Sequence, residues 1–186
     1  AGWRAAGADG TLSYTRADDR MNQPGSLTGA EIAADRTQRV SRVETINRMD
    51  FLALGQRFGL PRGFSAAVNL HLRRRREATP LNLGRTSVSQ SIAGMETRGA
   101  AAQLSREWKL LGRRSVATVG IEAVDAEVDT QSRGSFSGTP FASGSRTQDR
   151  SRAVFAQHVL DLVPGRWTLT AGARYDESRM GIEDVD

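Results

Sequence analysis

The chain of 186 residues has no cysteine, which excludes both a disulfide framework and a thiolate metal site. It also lacks any stretch near the ~18 consecutive apolar residues that a membrane-spanning helix needs. Aromatic residues make up only 6%, hydrophobic residues 38%, and mean hydropathy is −0.45. These averages are low for a soluble domain with one large core. They fit strands in which only every second side chain enters an apolar environment.

Lysine is nearly absent, since Lys109 is the one lysine among 26 basic residues, and the net charge is +5. A basic balance favours nucleic acid or anionic lipid as a partner. Arginine and acidic residues are, however, interleaved along the chain instead of forming one basic face. We therefore expect arginine to solvate polar surfaces, and we do not expect nucleic-acid binding.

Three short turns, at 60–63, 111–114 and 163–166, lie about 50 residues apart. Each is flanked by strand-like sequence, and the other strand ends are joined by long segments rich in Gly, Ser, Thr, Arg and Asp. Short turns at one end and long loops at the other are typical of outer-membrane β-barrels. The pattern predicts an all-β fold: about seven antiparallel strands in an up-and-down meander, with short periplasmic turns and long extracellular loops.

Alternation of apolar and polar residues is clearest at 167–176, where it holds without exception. Similar strands are indicated at 64–73 and 102–110, although Arg106 interrupts the apolar set of the latter. After Ile121 the apolar parity switches, and the parity around Phe155 is ambiguous. A β-bulge is one explanation, because an extra residue moves every later side chain to the other face.

Aromatic residues lie beside the predicted short turns. Barrels carry aromatic girdles where the wall crosses the membrane interface. We expect such a girdle from Trp3, Phe58, Phe64, Trp108 and Trp167.

The first long loop contains the pattern of one short helix. Thr28 is a suitable N-cap, Glu31 follows three residues later, and Leu27 is placed to pack against Ile32. We expect this helix to stiffen the loop or to contact a ligand.

Segment 167–176, reading Trp-Thr-Leu-Thr-Ala-Gly-Ala-Arg-Tyr-Asp, resembles a strand signature of TonB-dependent outer-membrane receptors. Segment 154–157 resembles the element that precedes that signature, and segment 23–36 resembles a loop of the same family. The resemblance runs in the same order over nearly the whole chain. It implies a 22-stranded barrel closed by an N-terminal plug. Such a receptor imports ferric siderophores, haem or cobalamin with energy from an inner-membrane complex.

The resemblance also implies partners: outer-membrane lipid and lipopolysaccharide, a small metal chelate, and a plug domain and energy-coupling protein from beyond these residues. The plug, the coupling box and the aromatic last strand of the family pattern are not found here. We expect residues 1–186 to form one partial barrel domain of a longer chain, in the bacterial outer membrane.

Inward positions are expected to line the lumen or to contact the plug or ligand. These are Asn69, His71, Arg73, Arg75, Gln103, Thr168, Thr170 and Arg174. Arg74 and Arg76 alternate with the inward arginines, so we expect them to face outward, where guanidinium groups bind lipopolysaccharide phosphates.

No catalytic constellation or metal site is indicated. His71 and His158 are the only histidines, and neither has ligand-type neighbours in sequence. The row of Asp125, Glu127 and Asp129 suits arginine pairing better than calcium. We therefore predict a non-enzymatic importer of a metal chelate without a cofactor, and keep as alternatives another outer-membrane barrel (a porin or a barrel enzyme) and a soluble β-sandwich adhesion module.

Overall fold

The computed structural model describes residues 1–5, 7–24, 29–35, 42–82 and 88–185. Its strands are β1 (Gly2–Ala5), β2 (Ala8–Pro24), β3 (Arg42–Gly59), β4 (Phe64–Asn82), β5 (Val88–Leu110), β6 (Arg113–Phe136), β7 (Thr139–Val163) and β8 (Trp167–Val185). A helix, α1 (Gly29–Ala34), lies between β2 and β3. Within the described ranges, no helix has the length and hydropathy required to cross a bilayer.

All eight strands form one sheet in chain order, and every neighbouring pair is antiparallel. The predicted all-β meander is therefore confirmed. The sequence pattern indicated about seven strands, and the additional one is the short β1, which pairs with residues 8–11 of β2. Four residues with a single tryptophan are too few to show the alternation on which the sequence prediction depends.

The short turns predicted from sequence are confirmed. Arg62 and Gly63 have φ of 61° and 76°, Leu111 and Gly112 have φ of 51° and 77°, and Gly165 has φ of 73°. These left-handed values reverse the chain within a few residues. The glycines adopt them without the steric cost that Cβ imposes on other residues.

The opposite end of the sheet is more regular than long loops would be. β6 and β7 continue as a paired ladder to Phe136↔Thr139, where a two-residue turn at Ser137 and Gly138 joins them. The polar segment predicted there as a loop is thus a long β-hairpin. Polar composition indicated exposure to water correctly, but it does not distinguish a solvated hairpin from an irregular loop.

The bulge proposed after Ile121 is wrong. β6 pairs with β5 and β7 without a register shift on either side, while the shift in β7 lies between Asp161 and Val163. Ile121, Ala123, Asp125 and Glu127 therefore share one face. The change of parity in the sequence marks the point where that face turns from apolar to charged. The ambiguity around Phe155 has a different origin, since the register is continuous there and Phe155 is an apolar residue on the polar face.

The helix in the first long connection is confirmed at α1. The predicted cap at Thr28, the staple at Leu27 and the side chain of Glu31 lie outside the described residues.

The sheet is a single layer with an apolar face and a polar face. Directly paired residues share a face, so the registers connect the apolar sets of all strands. Among the described residues, only four are buried: Gly10, Gly99, Ser115 and Ala153. Large apolar side chains remain exposed, including Val119 at 53%, Ile121 at 60% and Tyr175 at 69%. An apolar face this open needs another apolar phase against it.

The apolar face has a defined height. On β8 it runs over about nine residues, 167–175, and on β4 and β6 it covers 64–72 and 115–123. A tilted transmembrane strand needs ~9–11 residues. Beyond these limits the same face carries Arg74, Glu96, Asp125, Arg150 and Glu177, so the strands extend well past the apolar band.

Candidate functional site

The eight residues expected to line the lumen all lie on the polar face. Gln103 and Arg174 share one cross-strand row through Gly120 and Phe155. The members on β4 and those on β8 are separated by four strand spacings, about 19 Å. The face therefore holds two groups of predicted residues instead of one compact site.

The β4 group crosses the outer limit of the apolar band, with Asn69 and His71 inside the limit and Arg73 and Arg75 beyond it. The ring of His71 covers Gly99 on β5, and its centroid is 6.3 Å from that of Phe51. Arg75 donates from Nε to Asn47 at 3.0 Å and from Nη2 to Glu77 at 2.9 Å. Arg73 differs, because its Nε is buried and has no hydrogen-bond partner among the described residues.

The β8 group contains an ion-pair network that the sequence analysis missed. Arg174 donates to Glu122 on β6 and to Asp176 on its own strand, both at 2.9 Å. Ala153 lies between Glu122 and Asp176 in the same cross-strand row. Its side chain is small enough for Arg174 to reach across β7, and it is only 6% exposed. Both acids occupy alternate positions that the sequence assigns to the polar face. Only the register between strands shows that they contact the same arginine.

Phe155 is an apolar residue on the polar face. It lies opposite Gly120, where an added Cβ would overlap its ring. The sequence left its orientation open because Phe155 is apolar and stands between Val154 and Ala156, which belong to the apolar face. Phe155 gives the row of Gln103 and Arg174 an aromatic surface.

A cleft of about 640 Å³ lies on the polar side near the short turns and includes Arg57, Gln103, Ser105, Glu107 and Arg114. Arg114 binds both carboxylate oxygens of Glu107, at 2.8 and 2.9 Å. Such bidentate pairs fix the guanidinium plane. On β8, Thr168 donates to Asp161 at 3.1 Å, whereas Thr170 makes no side-chain hydrogen bond to another described residue.

The five aromatic residues expected in a girdle all lie on the apolar face at the short-turn end. Trp3 is opposite Gly10, Phe58 is opposite Ala66, Phe64 is opposite Arg106, and Trp108 is opposite Ser115. Trp167 begins β8 and is 69% exposed. Their common level fits an interfacial ring.

Arg74 and Arg76 lie on the outer continuation of the apolar face, as the alternation predicts. Arg74 binds Glu96 at 2.7 Å, and Arg98 binds the same carboxylate from its own strand at 2.6 Å. These bonds, that from Arg98 first and that from Arg74 second, lower the pKa of Glu96. Arg76 lies opposite Arg48 and Gly94.

The predicted acidic row is also paired with arginine. Asp125 contacts Arg150 at 3.5 Å, and Arg146 contacts Glu127 at 3.3 Å and Asp129 at 2.9 Å. A hydrogen bond from Arg146 to Asp129 is the main cause of the raised pKa of that arginine. We call these charged pairs, with Arg74, Glu96 and Arg98, the outer charged belt.

One serine–histidine pair exists, but its geometry does not suit hydrolysis. Ser115 Oγ and His158 Nε2 are 2.7 Å apart. Ser115 is 0% exposed, so a substrate carbonyl cannot reach its oxygen. Among the described residues, no further hydrogen bond holds the ring of His158, whereas a triad needs a third group bonded to it. Within the described residues, no group of three metal-binding side chains is present.

A single layer with one apolar face, an aromatic rim and long polar extensions defines a barrel wall. The family model described as "TonB dependent receptor-like, beta-barrel" matches residues 1–186, the entire chain. The chain belongs to this family.

Solved structures of TonB-dependent receptors have the same fold. The unliganded ferric citrate transporter FecA superposes with a TM-score of 0.82 at 16% identity, over 97% of this chain and 28% of that one. The ferric yersiniabactin uptake receptor FyuA from Yersinia pestis gives 0.76 at 11% identity, over 95% and 28%. The outer-membrane ferripyoverdine receptor of Pseudomonas aeruginosa gives 0.72 at 11%, over 99% and 30%. Comparison with curated protein sequences gives no significant match.

The family places the protein in the bacterial outer membrane. The chain spans under a third of the length of these receptors. Membership removes the soluble adhesion module as an interpretation. The exposed apolar face gives the physical reason, because no second sheet packs on it within the described ranges.

Proposed function

We propose that this TonB-dependent receptor wall belongs to an importer that carries a ferric siderophore or another metal chelate across the outer membrane. Residues 1–186 form part of its barrel domain, while the plug and the contact with the energy-coupling protein come from the rest of the receptor. The similar receptors are described by their ferric ligands: citrate, yersiniabactin and pyoverdine. At identities of 11–16% these ligands suggest only the substrate class.

The proposed ligand path is the polar face. In an outer-membrane barrel the apolar band meets lipid and the alternate residues face the lumen. Arg73 and Arg75 then stand at the outer mouth, beyond the apolar band of β4, whereas Asn69, His71, Gln103 and Arg174 lie at the level of the band. Thr168 and Thr170 form a lower group beside the short turn before β8, and bacterial barrels place such turns on the periplasmic side. The lower group, together with the cleft at Arg57 and Glu107, is positioned to contact the plug.

The observation that supports ligand capture best is Arg73. Its Nε is buried without a partner among the described residues, while Arg75 is occupied by Asn47 and Glu77. A buried donor without an acceptor is costly. An anionic chelate with carboxylate, catecholate or hydroxamate oxygens would supply that acceptor once the side chain turns Nε toward the lumen.

The matching experiment uses Arg73→Gln in the complete receptor, with Arg74→Gln as control because the adjacent residue lies on the opposite face. Cells lacking the receptor would be complemented with each variant, and energy-dependent uptake of ⁵⁵Fe would be measured with a panel of ferric chelates. Loss of one charge-assisted hydrogen bond, about 1.5–3 kcal/mol, corresponds to about tenfold or greater weakening. Arg74→Gln should leave uptake near the wild-type level.

Two results would contradict the proposal. Unchanged uptake of every metal chelate in cells without the receptor would refute the importer function. Equal effects of Arg73→Gln and Arg74→Gln would refute the role of the polar face. A porin would instead show non-saturable flux that does not depend on inner-membrane energy.

The outer charged belt is proposed to lie at the level of lipopolysaccharide headgroups. Arg76 lies opposite Arg48, which already binds Asp18 at 3.2 Å, so the guanidinium of Arg76 is the proposed phosphate contact. Arg74 would remain shared with Glu96. These contacts, like the aromatic girdle, concern membrane seating and not import.

A further inference from the structure

Arg106 is a charged residue inside the lipid-facing band. It lies on β5 between Leu104 and Trp108 on the apolar face, opposite Phe64 and Ala117. Within the band as the structure describes it, this face carries no carboxylate. The nearest on the same strand and face is Glu96, about 33 Å away along β5. Glu107 is adjacent in sequence but lies on the polar face, where Arg114 binds it.

The guanidinium of Arg106 is held by aromatic rings. Its Cζ lies 4.9 Å from the centroid of Phe64 and 6.0 Å from that of Trp108. Both distances are within the range of cation–π attraction. These contacts orient the group but leave its hydrogen-bond donors free, since no hydrogen bond or ion pair from this side chain is found among the described residues.

Trp108 is itself fixed. Its ring stacks on His158 with centroids 5.7 Å apart and an interplanar angle of 11°. His158 in turn shares a 2.7 Å hydrogen bond with the buried Ser115. We name Phe64, Arg106, Trp108, Ser115 and His158 the Arg106 cluster. The serine–histidine pair, which cannot serve hydrolysis, acts here as a support for the ring.

We propose that the Arg106 cluster binds the phosphodiester of a phospholipid in the periplasmic leaflet. The cluster lies at the short-turn end, on the level of the aromatic rim. An arginine facing lipid is costly unless its charge is met, and the cost declines toward the interface. A planar guanidinium forms paired hydrogen bonds with phosphate oxygens. Arg113, on the same face near the turn, adds positive charge although it donates to the carbonyl of Leu162.

The test uses the complete receptor in maltoside micelles, which contain no phosphate. The probe is phosphatidylglycerol with a photoreactive headgroup, and the comparator is diacylglycerol with the same reactive group. Labelled peptides are mapped by mass spectrometry. Arg106→Gln should reduce phosphatidylglycerol labelling around residues 106–108 about fivefold and should leave diacylglycerol labelling unchanged. The factor corresponds to the ~1 kcal/mol by which one arginine near a membrane surface strengthens binding to anionic lipid.

Two further variants and a control separate binding from misfolding. Arg106→Lys keeps the charge without the planar fork and should recover part of the labelling. Trp108→Leu keeps the arginine but removes a ring that holds it, so labelling should fall by about twofold to fivefold. Arg133→Gln, on the distant hairpin, should behave as wild type. Folding is checked by heat-dependent gel mobility.

Several outcomes would overturn the proposal. Equal labelling of wild type and folded Arg106→Gln would show that the arginine does not bind the headgroup. Competition by inorganic phosphate as strong as that by phospholipid would show that no lipid is recognised. Preferential loss of lipopolysaccharide instead of phospholipid in Arg106→Gln would reassign the occupant and the leaflet.

Discussion

Val119 allows the orientation of the wall to be tested by a single charge. It lies near the centre of the apolar band of β6, between Leu104 and Ala156, and is 53% exposed in the sheet. If that exposed part meets hydrocarbon, Val119→Arg places a guanidinium near the bilayer midplane. The expected loss of unfolding free energy is about 2–4 kcal/mol. A water-facing position would lose far less.

Position along the band provides a gradient for the same test. Leu169 follows Trp167 by two residues on the same face of β8 and is 54% exposed. There an arginine reaches the interface, so Leu169→Arg should cost only about 0–1 kcal/mol. Gln157 is paired with Thr118 and Gly172 on the polar face. Gln157→Arg should therefore change stability little.

The assay is guanidinium unfolding of the complete receptor in phospholipid vesicles, followed by tryptophan fluorescence and heat-dependent gel mobility. The expected order of destabilisation is Val119→Arg, then Leu169→Arg, then Gln157→Arg. Equal losses at Val119 and Gln157, or a larger loss at Gln157, would refute the assignment of the apolar face to lipid.

Further predictions concern packing, pH and the polar network. Gly99→Val should reduce the free energy of unfolding by about 1–3 kcal/mol, seen as a lower thermal midpoint, because its Cβ would overlap the His71 ring. Gly94→Ala has open space around it and should leave the midpoint unchanged. Equal effects of the two variants would contradict the packing argument. The folded state lowers the pKa of Glu96 from 4.5, so the carboxylate adds stability above that pH and loses it as pH falls further; Glu96→Gln should flatten this acid dependence in unfolding titrations, and an unchanged slope would contradict it. Arg174→Gln leaves Glu122 and Asp176, whose side chains are 37% and 57% exposed, without their shared cation. Because the two carboxylates then repel each other, this variant should be slightly less stable than the triple variant Arg174→Gln, Glu122→Gln and Asp176→Asn, which carries none of these charges.

The sequence was sufficient to predict most of the wall because the two-residue period carries the information about its faces. At 167–176 each apolar residue pairs with a residue of the apolar face of β7, and each polar residue lies on the other face. The short turns were equally readable, because Gly63, Gly112 and Gly165 mark left-handed backbone. The aromatic rim followed from proximity to those turns.

Other features depend on the register between strands, which the residue pattern of a single strand does not reveal. Glu122 and Asp176 are far apart in sequence and meet Arg174 only because β6, β7 and β8 align at Ala153. Arg106 was read as an interruption of an apolar set, whereas its position opposite Phe64 makes it part of a cluster. The parity change after Ile121 was misread as a bulge because sequence does not mark where a strand leaves the membrane.

The most direct test of the wall is a spin-label scan along residues 167–175 in the complete receptor, reconstituted in phospholipid vesicles. One cysteine at a time would carry the label on a background without other cysteines. Accessibility to molecular oxygen, which concentrates in lipid, should be high at 169, 171, 173 and 175 and low at 168, 170, 172 and 174, with the opposite pattern for a water-soluble nickel complex. Uniform accessibility to the nickel complex at both sets would contradict a lipid-facing apolar band.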